Sequence, residues 1–290
     1  MISVLIPTHN WDVYQLVSGL HKQLVLTNIQ FEIIIVDDAS NTKFSGNDRL
    51  HKLSNTSFEI LNKNIGRSAI RNYLARKAKY SWLLFLDGDV IPAQESFIEN
   101  YLNFINEKKN VIVGGIKYER EVTERTIRWK LGKRNEEKDV RTREADRYKY
   151  FFTGNFLIQK KVFDRISFDQ SLTKYGYEDL LFAKELQKQE ISIEHMENEV
   201  YHLGIDSDEL YLSKTKEALE NLSQLLVGNH LNFDDTKITK FYKRVWWLCL
   251  PYFLSFFTDR LEQITIKKSS LFYFNLFRIG YLSRMIEKLQ

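Results

Sequence analysis

The first half of the chain alternates short, continuous apolar runs with longer segments whose apolar residues recur every three or four positions. Ile2–Ile6, Phe31–Val36 and Trp82–Leu86 have almost no polar interruption, and Ile33-Ile34-Ile35-Val36 is rich in β-branched side chains; such runs predict strands covered on both faces. Phe58–Leu61 is a weaker strand and Val111–Gly115 a further one. Between them, Asp12 to Leu26 carries Val13, Leu16, Val17, Leu20 and Leu24 at helical spacing, and Ser68–Lys79 and Glu95–Asn106 also read as helices. This βαβαβ rhythm predicts an α/β protein with a parallel or mostly parallel sheet flanked by helices. After Gly115 the rhythm changes. Lys117 to Arg147 is dense in charge of both signs: Arg120, Arg125, Arg128, Lys130, Lys133 and Arg134 against Glu119, Glu121 and Glu124. It reads as a solvated helix and loop, or as a mobile flap beside a substrate. Phe151–Gln159 predicts a strand and Glu178–Gln189 a helix. Beyond His202 the chain is helical, with aromatic residues dense from Phe241 onward.

Composition narrows the class. With 290 residues, 43% of them apolar, and 20 Phe, 15 Tyr and 5 Trp, the chain can bury the core of one large domain or two small ones, which excludes general disorder. A single cysteine, Cys249, excludes a disulfide framework and a cysteine zinc site. The net charge of +4 is too balanced to point to nucleic acid. Met1–Pro7 has neither the basic region nor the apolar core of a signal peptide. The nearest approach to a membrane-spanning run, Val245–Phe257, is broken by Pro251 and is shorter than the roughly 18 apolar residues a span needs. The expectation is a cytoplasmic protein, at most peripheral on the inner face of the membrane.

Chemistry gathers where the predicted strands end. In open α/β sheets, ligands bind beyond the carboxyl ends of the strands. The first strand is followed by Pro7-Thr8-His9-Asn10, the second by Asp37-Asp38-Ala39-Ser40, the third by Asn62-Lys63-Asn64-Ile65-Gly66-Arg67 and the fourth by Asp87-Gly88-Asp89. Acidic groups thus recur along one edge, where a divalent cation with oxygen ligands, Mn2+ or Mg2+, would relieve their mutual repulsion. Each piece has a plainer explanation. Asp37-Asp38 also suits a turn with a helix N-cap, Asp87-Gly88-Asp89 a turn, Glu178-Asp179 the first turn of a helix, and His202 a structural histidine.

Taken in order, these pieces resemble a family 2 glycosyltransferase of the GT-A fold. The resemblance is carried by Ser3–Asn10, Ile35–Ser40, Asn64–Asn72, the DxD triplet Asp87-Gly88-Asp89, Thr153-Gly154-Asn155-Phe156, Gly176-Tyr177-Glu178-Asp179 and Tyr201-His202. The later pieces resemble, more loosely, the second half of galactosyltransferase-like domains. The resemblance implies a Rossmann-like mixed sheet in a catalytic domain over residues 1–205. Residues 1–115 would bind the nucleotide-sugar and 116–205 the acceptor, followed by a helical segment, 206–290. It implies inverting transfer of a hexose or N-acetylhexosamine from a UDP-sugar to a saccharide or lipid-linked saccharide. In that scheme Pro7 and Thr8 line the base and ribose pocket, and Asp38 or Asp37 bonds the uracil. Asn64 belongs to the donor site, and Arg67 or Arg71 lies near the base or diphosphate. Asp87 contacts the ribose or donor sugar, Asp89 with Asp87 and His202 forms the metal site, and Asp179 is the base with Glu178 beside it. Gly154, Asn155 and Tyr177 form the acceptor or donor-sugar wall. The helix N-terminus is expected to favour the anionic form of Asp179. His9 replaces the usual Tyr, and Ala39 the usual Gly or Asn.

Two other functions fit parts of the chain. Phe85–Val90 also resembles the nucleophile strand of haloacid-dehalogenase-like phosphohydrolases, a reading that leaves Asp37-Asp38 and Asn64–Asn72 unexplained. A non-catalytic nucleotide-sugar binder would require a lesion in the acidic set, and none is visible. In the C-terminal segment, the basic and aromatic residues between 240 and 285 suit a membrane interface, or packing onto the catalytic domain or a second subunit of a homodimer.

Overall fold

The computed structural model describes residues 1–106, 108–120, 124–172 and 174–289; Glu121, one of the acids of the charged stretch, lies outside them. Among the described residues the main sheet has seven strands: β1 (Ile2–Thr8), β2 (Phe31–Asp37), β3 (Thr56–Ile60), β4 (Trp82–Leu86), β6 (Val111–Val113), β8 (Asn155–Gln159) and β9 (Ile193–His195), in the order β3-β2-β1-β4-β8-β6-β9. A smaller sheet joins β5 (Val90–Pro92), β10 (Val200–His202) and β7 (Ile116–Lys117), in the order β5-β10-β7. β1 runs parallel to β2 and β4, and β2 parallel to β3. β8 enters antiparallel between β4 and β6. The sheet is therefore α/β and mostly parallel but mixed.

This topology gathers the site. Thr8 lies opposite Asp37 across β1 and β2, and Leu86 opposite Asn155 across β4 and β8. Because β8 is antiparallel, its amino end meets the carboxyl end of β4, so Gly154-Asn155 is brought to Asp87. In the smaller sheet His202 pairs with Val90, which sets it next to Asp89.

Both faces of the central strands are covered. Leu5, Leu83, Phe85, Phe156 and Ile158 share one buried cluster with Ile70 and Leu74 and with Phe182 and Leu186 farther on. The alternate residues Val4, Ile6, Leu84 and Leu157 are also fully buried, as strand alternation requires for a sheet covered twice. Helix α1 (Tyr14–Val25) buries Leu16, Val17, Leu20 and Leu24, the stripe read from spacing. Helix α2 (Arg67–Lys77) starts from Gly66, whose φ of 84° lies in the left-handed region open to glycine. Helices α3 (Phe97–Phe104), α5 (Val140–Glu144), α6 (Lys160–Phe163) and α7 (Glu178–Lys188) complete this part, whereas α4 (Ile127–Asn135) falls, but for its last residue, in the second unit described below. Two strands are shorter than their apolar runs predict. Phe151–Gly154 precedes β8 as coil and turn, and β6 stops at Val113 before Gly115, whose φ is 93°.

The chain does not divide at one point. One compact unit comprises 1–120, 135–173 and 178–204; the other comprises 121–134, 174–177 and 205–290. The second unit is helical: α8 (Asp208–Val227), α9 (Lys237–Val245), α10 (Leu250–Ser255), α11 (Thr258–Lys268) and α12 (Leu271–Leu289). α12 packs on α8, α10 and α11, burying Phe274, Phe277 and Leu282. Ser207 caps α8 by accepting the Leu210 N–H. The stretch from 117 to 147 is not a solvated face throughout. Arg143 is fully buried and Arg128 nearly so. No helix among the described residues is long and apolar enough to cross a membrane.

Candidate active site

The acidic residues at the sheet edge differ in what they hold. The Asp38 carboxylate accepts the N–H groups of Ile65 and Gly66, at 2.7 and 3.0 Å. Its backbone oxygen accepts the Asn64 amide, and His9 Nδ1 lies 2.9 Å from the same oxygen. Asp38 thus ties the ends of β1 and β2 to the turn that starts α2. Asp37, also buried, accepts the Ser40 N–H through Oδ1. Of the two acids left open by the sequence, Asp38 is the one whose oxygens are both engaged by backbone. Ala39, which follows them, has φ 55°, a left-handed conformation that costs an alanine roughly 1–2 kcal/mol and explains why glycine or asparagine suits this position. Ala39→Gly is expected to raise thermal stability by on the order of 1 kcal/mol, or about 2–4 °C in Tm for a chain of this size, by calorimetry.

Two arginines of α2 reach two different acids. Arg71, almost fully buried, donates from Nη2 to Asp87 Oδ1 at 2.6 Å. Burial opposes ionisation of Asp87, but the charges of Arg71 and Arg67 and the direct bond from Arg71 outweigh it and hold the carboxyl below its ordinary range. Arg67 is half-exposed, with Nη1 3.8 Å from Glu178 Oε1 at the start of α7. Helix α2 therefore links the β4 turn to the first turn of α7. Gly154 closes against the same turn: its carbonyl accepts the Asp87 N–H, and a Cβ on it would stand 3.3 Å from Asp87 Oδ2.

Asp89 Oδ2 and His202 Nε2 are 3.6 Å apart. The His202 ring stacks on Tyr118, and its buried Nδ1 has no hydrogen-bond partner, so stacking and strand pairing orient the imidazole. Gly204 lies directly against the carboxylate; a Cβ there would fall 2.2 Å from Asp89 Oδ2. Among the described residues no three His, Cys, Asp or Glu side chains form a closed metal cage. The Asp89–His202 pair suits an open site, in which a divalent ion takes one or two protein ligands and completes its shell with water and phosphate. A cavity of 370 Å³ opens beside the turn, lined by Trp11, Phe44, Gly88, Val90 and Leu203 among others.

Asp179 corrects one expectation. It does accept a helix N–H, that of Leu180 at 2.7 Å. Burial and the neighbouring charges of Glu178 and Glu136 outweigh that bond and the attraction of Arg71, raising the carboxyl to about 7. The helix terminus alone was expected to favour the anion; its surroundings favour the acid. Glu136 comes from the charged stretch, where its carboxylate accepts the Tyr118 hydroxyl while Glu137 accepts the Tyr118 N–H.

Asn155 is a second correction. The resemblance puts it in the acceptor or donor-sugar wall, but its side chain is buried. Its amide donates to the Gly115 and Asn198 carbonyls and its oxygen accepts the Tyr101 hydroxyl. With no exposed donor left, it braces the wall from behind. Pro7 is partly exposed and Thr8 is buried at the end of β1. Tyr177 has φ 73° and belongs to the helical unit.

Sequence reasoning missed Arg143. Its guanidinium donates to the carbonyls of Lys138, Val113, Gly114 and Met196. It also lies 3.2 Å from His195 Nδ1, while His195 Nε2 lies 2.9 Å from the Arg147 carbonyl. Burial, with the Arg143 and Arg147 charges, holds His195 down to about 4 despite the bond to Arg147 and the Glu144 charge, so this ring is neutral. No local signal marks Arg143 among the surrounding charges.

Comparison with known proteins follows the same outline. Residues 3–171 match the family profile described as Glycosyl transferase family 2. The minor teichoic acid biosynthesis protein GgaB of Bacillus subtilis is 29% identical over 113 residues, covering 38% of this chain and 12% of that protein. An uncharacterized glycosyltransferase of Haemophilus influenzae is 33% identical over 117 residues, 38% of this chain and 36% of that one. The chain thus matches only a minor part of the length of these relatives. Among solved structures, S. aureus TarS 1-349 superposes with a TM-score of 0.53 at 16% identity, over 99% of this chain and 90% of that one. Its complex with UDP-GlcNAc gives 0.51 at 16% identity over 99% and 91%. These likenesses show the GT-A fold. The profile match spans more than half of the chain, removes the phosphohydrolase reading, and places this protein in glycosyl transferase family 2.

Proposed function

We propose that this chain is a metal-dependent, inverting glycosyltransferase. It moves a hexose or N-acetylhexosamine from a UDP-sugar to a hydroxyl of a saccharide or lipid-linked saccharide, in the assembly of a cell-surface polysaccharide. The observation that carries the reading is the connected set Arg71–Asp87, Arg67–Glu178 and Asp89–His202, beside a carboxyl, Asp179, held near 7. The UDP and UDP-GlcNAc complexes of TarS support the donor class, and the teichoic acid relative supports the setting.

The division of labour follows from the surroundings of each group. Pro7, Thr8, Asp37 and Asn64 frame the base and ribose. Asp87, neutralised by Arg71, stays ionised and orients donor hydroxyls by accepting their hydrogen bonds. Half-exposed Arg67 offers charge-assisted hydrogen bonds to the diphosphate as it gains charge on leaving. Asp89 and His202 would hold a divalent ion, which as a Lewis acid stabilises the departing diphosphate. Asp179 takes the proton of the acceptor hydroxyl as its oxygen attacks the anomeric carbon, while the bond from that carbon to the phosphate oxygen breaks. One displacement on one face inverts the configuration. A base near 7 suits this work, because about half of it is ionised at neutral pH and it still accepts a proton in the transition state.

The test separates donor chemistry from folding. With UDP-sugars and Mn2+, UDP release is expected in wild type, and chelation by EDTA abolishes it reversibly. Asp89→Ala loses about 10²–10³-fold in kcat, in line with removing a group that stabilises transition-state charge. Activity unaffected by both chelation and Asp89→Ala overturns the metal role. Phosphate release from simple esters with no UDP release overturns the reading as a whole.

A further inference from the structure

The aromatic residues of the helical unit separate into two sets. Phe274 and Phe277 are buried in its core. Trp246, Trp247 and Leu248 form a single 3-10 turn between α9 and α10 with none of the three buried, and are 66%, 73% and 55% exposed. On α10, Pro251 and Leu254 face inward while Tyr252 and Phe253 face out, and Phe256 continues that outer row just past the helix end. The outer rings touch one another: Tyr252 meets Phe256 edge-on at 4.9 Å, and Phe253 meets Phe257 at 5.0 Å. The result is an exposed aromatic turn followed by an exposed aromatic row. More than half of the large apolar side chains exposed among the described residues lie between Phe241 and Phe272.

Cations border this surface. Lys240 and Arg244 are exposed on α9 immediately before the turn, with Lys243, which pairs with Asp234 at 2.9 Å, between them. α9 is strongly two-faced, with Ile238, Thr239, Tyr242 and Val245 turned inward. Tryptophan and tyrosine combine an apolar body with a polar tip, the pairing enriched where hydrocarbon meets headgroups. Basic residues beside such a stripe add attraction to anionic lipid. A contiguous exposed apolar patch on an otherwise ordinary surface marks an interaction site. The exposed cations of α9 beside the stripe complement an anionic bilayer, whereas a second copy of the chain packed on the same face would bring like charges together.

We propose that Trp246–Leu248 and the outer face of α10, bordered by the cations of α9, form a docking face for an anionic lipid bilayer. The turn enters the headgroup region and the cations meet lipid phosphates. The inference does not depend on the transfer chemistry, and its test does not read activity.

Full-length protein is floated with phosphatidylcholine vesicles, with and without a third of phosphatidylglycerol, while tryptophan emission is followed. Binding to the anionic vesicles is expected, with a blue shift in emission and loss as KCl rises. Trp246→Ser/Trp247→Ser should abolish flotation and leave the melting temperature unchanged, because both side chains are exposed. Lys240→Gln/Arg244→Gln should weaken binding roughly tenfold or more. Equal binding to both vesicles, or binding that survives the tryptophan variant, overturns the proposal. So does absence of flotation, whether the protein is then monomeric or forms a dimer that the tryptophan variant disrupts.

Discussion

Asp179→Asn loses transfer by about 10²–10⁴-fold in kcat, the usual contribution of a positioned base, while donor binding by calorimetry is retained. In the wild type, kcat rises with pH and levels off above about 7, where the raised carboxyl ionises. The variant's residual rate lacks that limb. Stability supplies a control. A carboxyl whose folded pKa lies above its unfolded value of 3.8 destabilises the fold progressively as pH rises from that value through about 7. Asparagine removes that penalty. The variant is therefore expected to melt higher than wild type at pH 8 and to show little difference near pH 3. Equal loss of donor binding and transfer would count against Asp179 as base.

Arg143→Met lowers stability by roughly 3–5 kcal/mol, the range for breaking a buried, fully bonded charged group. Methionine fills part of the volume but takes the guanidinium from the Lys138 and Met196 carbonyls and the His195 ring nitrogen, each a cost in the interior, while Val113 and Gly114 keep the backbone N–H groups of Met196 and Asn198. Urea unfolding of the variant measures the loss, with the midpoint shifting and the slope unchanged. The same contact carries a pH dependence in the wild type. His195 is depressed from 6.5 to about 4; the unfolded chain therefore binds the extra proton first. Stability is full above 6.5 and declines as pH falls towards 4. In Arg143→Met this decline is expected to shrink, because the cation facing Nδ1 is gone.

The elements of the first half were legible because local signals agreed with the final packing. Trp82–Leu86 and the α1 stripe lie where spacing puts them, since strand and helix periods alone decide those faces. Strand order was not legible. The antiparallel entry of β8 depends on pairing between Phe156 and both Phe85 and Val113, which no local pattern encodes. The same limit separates candidate residues from their states. Asp87, Asp89 and Asp179 stand out by type and spacing. That Asp87 is clasped by Arg71, and that Asp179 is buried and feels Glu136 as well as its neighbour Glu178, comes from packing that no local pattern encodes. Asn155 was noticed for a polar side chain that proves to serve the scaffold. Arg143 was hidden because a buried arginine satisfied by carbonyls looks, in sequence, like any member of a charged run.

Gly204 gives the acidic triplet a constraint of another kind. It has no unusual backbone angle and no chemistry of its own, yet the space a methyl group would fill is already taken by Asp89 Oδ2. Residue 204 is therefore restricted to hydrogen by its neighbour's carboxylate. Even alanine would rotate that carboxylate away from His202 without removing a single functional atom. Variation at residue 204 would therefore act on the proposed metal site while Asp89 and His202 are both still present.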